Sequence, residues 1–286
     1  MLKQRVITAL VLLVVLLPCI FAGTARPFAV LTLVFVAAAL WEWARLNRVG
    51  VALNALGVAA ALAVGAWLLA HTGLLERASV PGARWGWLVA GAFWAVSAPA
   101  LLWRGHRVWS RLAPWLREVL GWVALMAAWM ALARAKALGI NFLLSVLCLV
   151  WAADIGAYFG GRAWGRHKLA PGISPGKTWE GAASGLIAVL ALSWAWSVAE
   201  RTWPQDSLSV FGQLHRTWGG VGGSAAVALL VAMSVAGDLI ESLVKRQAGV
   251  KDSSRLLPGH GGVLDRIDAL IPVFPFALAL IGVGHV

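Results

Sequence analysis

The chain has 286 residues, of which 60% are hydrophobic and only 13% charged. A soluble domain of this length needs far more polar surface, so the composition excludes one and specifies an all-α, polytopic membrane bundle. The net charge of +12 does not point to nucleic acid, because the basic residues cluster in short loops beside apolar runs.

About nine apolar runs have the roughly 20 residues that a bilayer crossing needs. They fall at 6–22, 27–46, 51–71, 86–103, 118–134, 138–160, 181–199, 222–244 and 267–286. The first, preceded by Lys3 and Arg5, also has the form of a signal peptide, although its length approaches that of a span. With the N-terminus inside, 17 of the 24 Lys and Arg residues lie on one side and 7 on the other. That bias puts the N-terminus and both long polar loops in the cytoplasm. Cys19 and Cys148 lie within apolar runs without metal-ligand spacing and read as packing residues. Residues 1–135 hold only Glu42, Glu76 and Glu118 as acids, whereas the aspartates fall between 154 and 268. We therefore expect a scaffold of N-terminal spans (1–135) and a catalytic part (136–286) within one membrane unit. The segment 200–220 reads as an outside loop without chemistry.

The first polar constellation is Asp154, in WAADIGAYFGGR at the cytoplasmic end of the sixth run. An intramembrane carboxylate needs a partner, a cation, or a helix end that reaches water. Next comes Ser174-Pro-Gly-Lys-Thr-Trp-Glu-Gly181. It resembles a phosphate-binding loop, but Gly172 leaves the spacing one residue short and no strand precedes it. What remains is a turn at a helix N-terminus, with Ser174, Lys177 and Thr178 available to an anion, or an ordinary capped loop. Gly181 and Gly185, four apart, allow close helix packing, including that of a homodimer.

Asp238, Glu241, Ser242 and Lys245 follow at i, i+3, i+4 and i+7, on one helical stripe. A Glu241–Lys245 salt bridge accounts for two of them but not for Asp238, a turn deeper; a stripe lining a polar cavity accounts for all. Asp265 and Asp268, three apart, share a face, and with Asp238 they would make an oxygen-rich site for one or two Mg²⁺ ions. Lys245, Arg246, Lys251 and Arg266 are cations available to phosphates, Arg266 also having a structural alternative. Gly261 and Gly262 would let backbone approach a polyphosphate. His260 fits equally as general base, phosphate donor or loop-packing residue. A transporter is the competing class, because intramembrane carboxylates also mark ion pathways, but the sequence has no internal symmetry and its charges sit at the membrane border.

The same stretches carry a family resemblance. Ser242, Lys245, Arg246, Lys251, Asp252, Pro258, His260, Gly261, Gly262, Asp265, Arg266 and Asp268 fill every fixed place of a pattern that resembles the signature of the phosphatidate cytidylyltransferases, or CDP-diacylglycerol synthases. Asp154 to Arg162 and Ser174 to Gly181 resemble two further stretches of that family. The likeness covers roughly Asp154 to Asp268; the first half matches only in being hydrophobic. It implies a Mg²⁺-dependent membrane enzyme that transfers CMP from CTP to phosphatidate, releasing pyrophosphate, in a bacterial cytoplasmic membrane. Asp238, Lys245, Asp265 and His260 are then the catalytic candidates. Ser174, Lys177, Thr178, Arg246, Lys251, Asp252, Gly261, Gly262 and Arg266 are substrate-binding candidates, and Asp154 and Glu241 further ones. A CTP-dependent polyprenol kinase is the alternative nearest in chemistry; a CDP-alcohol phosphotransferase is excluded, since it needs an Asp-Gly pair.

Overall fold

The computed structural model describes residues 2–73, 75, 83–104 and 106–282. Glu76, Arg77 and the end of the last expected span (283–286) lie outside the described residues, as do the side chains of Arg104 and Arg107. Described helices are α1 (Leu2–Phe21), α2 (Arg26–Leu46), α3 (Val51–His71), α4 (Ala83–Arg104), α5 (His106–Arg111), α6 (Pro114–Leu138), α7 (Ile140–Trp164), α8 (Trp179–Thr202), α9 (Val210–Ala248), α10 (Leu264–Ile267) and α11 (Leu270–Ile281). The ends follow local chemistry. Pro stands in the first turn of α2 and α6, where its missing N–H is no loss. The Thr178 and Ser209 hydroxyls accept from the Gly181 and Gly212 N–H groups to cap α8 and α9. Gly249, in the left-handed region at φ 76°, ends α9.

Eight of these helices, α1–α4 and α6–α9, are long and apolar enough to cross a bilayer. The ninth expected span appears as α10 and α11 instead. At 1.5 Å per residue α11 reaches about 18 Å, short of the ~30 Å hydrocarbon core. It is buried, with Val273, Phe274, Ala277 and Leu278 packed inward among α4, α6 and α9. The segment expected as an outside loop is also more ordered. Gly219, at φ 72°, breaks α9, and a separate helical piece precedes it from Val210. Asp206 accepts from the Ile140 and Asn141 N–H groups at 2.5 and 3.0 Å, while Glu200 accepts from Asn141 Nδ2 at 2.8 Å and Ser209 N at 2.5 Å. The loop thus satisfies the open N-terminus of α7.

Helices α7 and α8 run against each other along small residues. A Cβ at Gly185 would lie 2.6 Å from the Ala153 carbonyl oxygen, and one at Gly181 2.8 Å from that of Ala157. The glycine pair is therefore spent on α7 of the same chain and supplies no surface for a second copy. Between the two helices, β1 (Lys168–Ala170) and β2 (Ser174–Thr178) form an antiparallel hairpin with Lys168 opposite Thr178 and Ala170 opposite Ser174. The Ser-Pro-Gly-Lys-Thr stretch is thus a strand leading into α8, not the turn expected from its glycine and proline; the turn lies at 171–173.

Candidate active site

After Gly249 the chain folds back as a compact loop and re-enters the bundle at α10. Leu257 and Gly261 close a tight turn: Leu257 N donates to Gly261 O at 2.9 Å and Gly261 N to Leu257 O at 3.1 Å. Gly259 and Gly261 adopt φ of 78° and 90°, which other residues rarely hold. The centre of the loop is Asp265. Its carboxylate accepts from Lys245 Nζ at 2.7 Å, Ser253 N at 3.0 Å, Ser253 Oγ at 2.9 Å and Gly262 N at 2.8 Å. Burial alone would push the Asp265 carboxyl up, but the neighbouring Glu241 and Lys245 side chains and the Gly262 N–H hold it at about 2. Lys245 is shared, with Glu241 Oε2 at 2.5 Å on its other side. The expected Glu241–Lys245 bridge is present, and Asp265 joins it.

A second carboxylate holds the same loop from the opposite half of the sequence. Glu42, near the end of α2 and 0% exposed, faces four donors, one of which, the Ser253 hydroxyl, it shares with Asp265. Ser254 Oγ and Val263 N donate to Oε1 at 2.5 and 3.0 Å; Ser253 Oγ and Leu264 N donate to Oε2 at 3.0 and 2.7 Å. A Cβ on Gly262 would lie 2.6 Å from Glu42 Oε1, so this glycine is needed for the approach of a protein carboxylate. From α1, Arg5 Nε and Thr8 Oγ1 donate to the carbonyls of Gly259 and Pro258, each at 2.9 Å. The N-terminal half, expected as scaffold, is bonded directly to the signature loop. In the sequence Glu42 shows only as a carboxylate inside an apolar run; its four donors lie more than 200 residues away.

The remaining carboxylates gather elsewhere. Lys177, brought in by β2, pairs with Asp238 of α9 at 2.6 Å, and Ser242 Oγ donates to Asp238 Oδ1 at 3.3 Å. Asp238 and Lys177 lie within electrostatic reach of Asp154 on α7 and of Asp268. The close α7–α8 packing and the bare Gly237, whose Cβ would lie 2.5 Å from the Asp268 carbonyl oxygen, bring these elements together. Lys177 is in contact with Asp238 alone, so the charges of Asp154 and Asp268 are not balanced by an ion pair of their own among the described residues. Among the described residues no three acidic, His or Cys side chains converge tightly enough to enclose a metal. Mg²⁺ does not require that, since it is often held by one or two carboxylates plus phosphates and water. Asp238, held only by Lys177 and a long bond from Ser242, and Asp268, with one bond from the Ala269 N–H, have acceptor capacity for such a site; Asp265 has more of its capacity taken, by Lys245, Ser253 and Gly262.

The other predicted residues divide by surroundings. Arg246 Nε reaches the Ile173 carbonyl at 3.4 Å and ties the hairpin to α9. Arg266 donates to the His260 carbonyl through Nε at 3.0 Å and through a second nitrogen, a structural clasp. His260 Nδ1 is buried without a hydrogen-bond partner. Ser174 begins β2 and Thr178 caps α8, while Lys251 and Asp252 are exposed on the far side of the loop. An apolar cavity of ≈ 250 Å³, walled by Trp43, Trp94, Trp109 and Ile240, has Glu241 and Asp268 among its lining. Apolar walls beside a charged cluster suit a molecule with a hydrocarbon part and an ionic end.

A family model described as the cytidylyltransferase family matches residues 3–283. The chain belongs to that family. This cytidylyltransferase is 40% identical over 283 residues to a phosphatidate cytidylyltransferase of Pseudomonas aeruginosa, covering 98% of this chain and 97% of that one. It is 37% identical over 290 residues to a phosphatidate cytidylyltransferase of Haemophilus influenzae, covering 96% and 97%. A Bacillus subtilis relative of the same name is 38% identical over 151 residues, half of this chain and 48% of its own. The first two matches each cover nearly the whole of both chains.

Proposed function

We propose that this integral membrane protein is a phosphatidate cytidylyltransferase that makes CDP-diacylglycerol and pyrophosphate from CTP and phosphatidate. The carrying observation is the Lys177–Asp238 pair at 2.6 Å, which joins two motif stretches and lies within electrostatic reach of Asp154 and Asp268. A phosphatidate oxygen forms a bond to the α-phosphorus of CTP as the bond from that phosphorus to the pyrophosphate oxygen breaks. Both reactants are anions, so the protein must offset their repulsion. Lys177 supplies a cation at the mouth of α8, positioned by the hairpin and by the Thr178 cap. Asp238 and Asp268 would hold Mg²⁺, which when bound supplies charge neutralisation on the triphosphate and the departing pyrophosphate. A phosphate monoester is mostly ionised at neutral pH, so no strong general base is required. Asp265, Lys245 and Glu42 fix the shape of the loop that carries Asp268. The acyl chains of phosphatidate can stay in lipid between the helices, with the glycerol end in the apolar cavity beside Asp268 and the phosphate at the carboxylate cluster. The 17-to-7 charge bias supports a cytoplasmic site, where nucleotides are, in a bacterial inner membrane.

The test is incubation of purified protein with labelled CTP, phosphatidate and Mg²⁺. CDP-diacylglycerol should form, and should not form when a chelator is in excess. Phosphorylation of a polyprenol from CTP, with phosphatidate left unchanged, would replace this reading with the lipid kinase.

A further inference from the structure

A second polar cavity lies apart from the Lys177–Asp238 cluster and shares no residue with it. It is a cleft of ≈ 620 Å³ between the end of α2 and the 250–255 segment, lined by Arg45, Arg48, Lys251, Asp252 and Arg255 among others. Four of these five side chains are cationic and one is acidic. Their charges come from segments about 200 residues apart in sequence. Among the described residues none of the four cations is ion-paired with a carboxylate. Like charges brought into one concavity without counter-ions repel each other, so an anion in the cleft lowers the free energy of the assembly.

Two features show that the cleft is held ready. Arg48 is the one described non-glycine residue with positive φ, at 59°. It occupies the position just past the helix end where Gly or Asn is favoured. The helix end holds it there, with Arg48 N–H donating to the Arg45 carbonyl at 3.0 Å and Val49 N–H to that of Ala44 at 2.9 Å, so the Arg48 side chain leaves a fixed point at the rim. Arg45 is braced over the Trp41 ring, 4.5 Å from its centroid. The floor is also fixed, since Ser253 and Ser254 line the cleft and are bonded to Glu42. The positive-inside rule accounts for cations on this side of the membrane. It does not account for four cations from two distant segments meeting in one cavity.

We propose that this cleft binds a phosphate-rich anion, gripped by Arg45, Arg48, Lys251 and Arg255. Two sources share that chemistry: a soluble polyphosphate, such as the triphosphate of a nucleotide, and the headgroup of an anionic lipid. The site is independent of the CMP-transfer reading and stands or falls by binding alone.

The test uses the full chain in phosphatidylcholine nanodiscs, with EDTA present so that no metal bridges phosphate to the carboxylate cluster. Inorganic tripolyphosphate is titrated and binding is read calorimetrically. Arg48→Gly removes the charge while suiting the backbone, so it should melt at or above the wild-type temperature. It and Arg255→Gln should each weaken binding about tenfold, as expected for loss of one charge-assisted contact. Arg201→Gln, on the opposite side of the bundle, should bind as wild type. A lipid source is shown instead if tripolyphosphate does not bind, but phosphatidylglycerol nanodiscs raise the melting temperature of wild type and not of Arg48→Gly. The proposal is overturned if neither anion acts on the wild type, or if a folded Arg48→Gly and Arg255→Gln respond as wild type. Normal CMP transfer alongside that result would leave the proposed function intact while removing this site.

Discussion

Removing the Glu42 carboxylate is the sharpest perturbation the structure offers. In Glu42→Ala four donors lose their acceptor: the hydroxyls of Ser253 and Ser254 and the N–H groups of Val263 and Leu264. The hydroxyls can rotate, and Ser253 keeps Asp265 within reach. The two backbone groups cannot turn away. A buried unsatisfied donor costs about 1–3 kcal/mol, so two cost roughly 2–6 kcal/mol. Glu42→Gln keeps one oxygen and its amide can donate to a hydroxyl, leaving a single backbone N–H facing an NH₂ group, for about 1–3 kcal/mol. Thermal unfolding of detergent-solubilised protein, followed by the fluorescence of its 18 tryptophans, should rank wild type above Gln above Ala. CMP transfer should fall in the same order at temperatures where all three are folded. Glu118, also in the N-terminal half, is the control. One of its oxygens is buried without a hydrogen-bond partner, so Glu118→Gln should leave stability unchanged or raise it. A Glu42→Ala protein that melts and turns over like wild type would refute the view that this carboxylate holds the loop.

Asp238→Asn and Asp268→Asn should each lower turnover about 10²–10³-fold, the usual effect of losing one preorganised electrostatic contact, with unchanged gel-filtration profiles. Asp265→Asn should instead melt lower by about 1–3 kcal/mol because one of its filled acceptor positions becomes a donor; a stable but inactive Asp265→Asn would return that residue to the metal site. Gly185→Val would drive a branched side chain into the Ala153 carbonyl, 2.6 Å from the position of its Cβ, and should cost about 1–3 kcal/mol or more in melting experiments; wild-type stability would mean that α7 and α8 are not packed this closely. Single cysteines placed beside Lys177 and Gly259 should react with an impermeant reagent in inverted vesicles and not in intact cells, the opposite pattern reversing the orientation.

Helices were readable from the sequence because a bilayer imposes a length and an apolar composition that few other structures share. The stripe Asp238–Glu241–Ser242–Lys245 was readable for a similar reason: helical periodicity places its members on one face without reference to the rest of the fold. Partners across the fold were not readable. Asp265 was expected to face a metal beside Asp238, yet its acceptors are filled by Lys245, twenty residues back, and by the backbone of its own loop. Ser174 to Thr178 was expected as a turn, since glycine and proline usually punctuate rather than pair; the pairing with Lys168–Ala170 overrode that local preference. The short α11 escaped notice because a buried helix and a spanning one have the same composition, and two prolines did not stop it.

The bond from Leu264 to Glu42 joins residues 222 positions apart. A ribosome adding about 5–20 residues per second needs roughly 10–45 s to cover that distance. Through that interval α2 is already made while its carboxylate has none of its four donors, so it must wait in the watery boundary of the bilayer. Closure of this face of the bundle therefore waits until nearly the whole chain has been made. A chain truncated before residue 253 would retain an open, charged helix end that no earlier segment can satisfy.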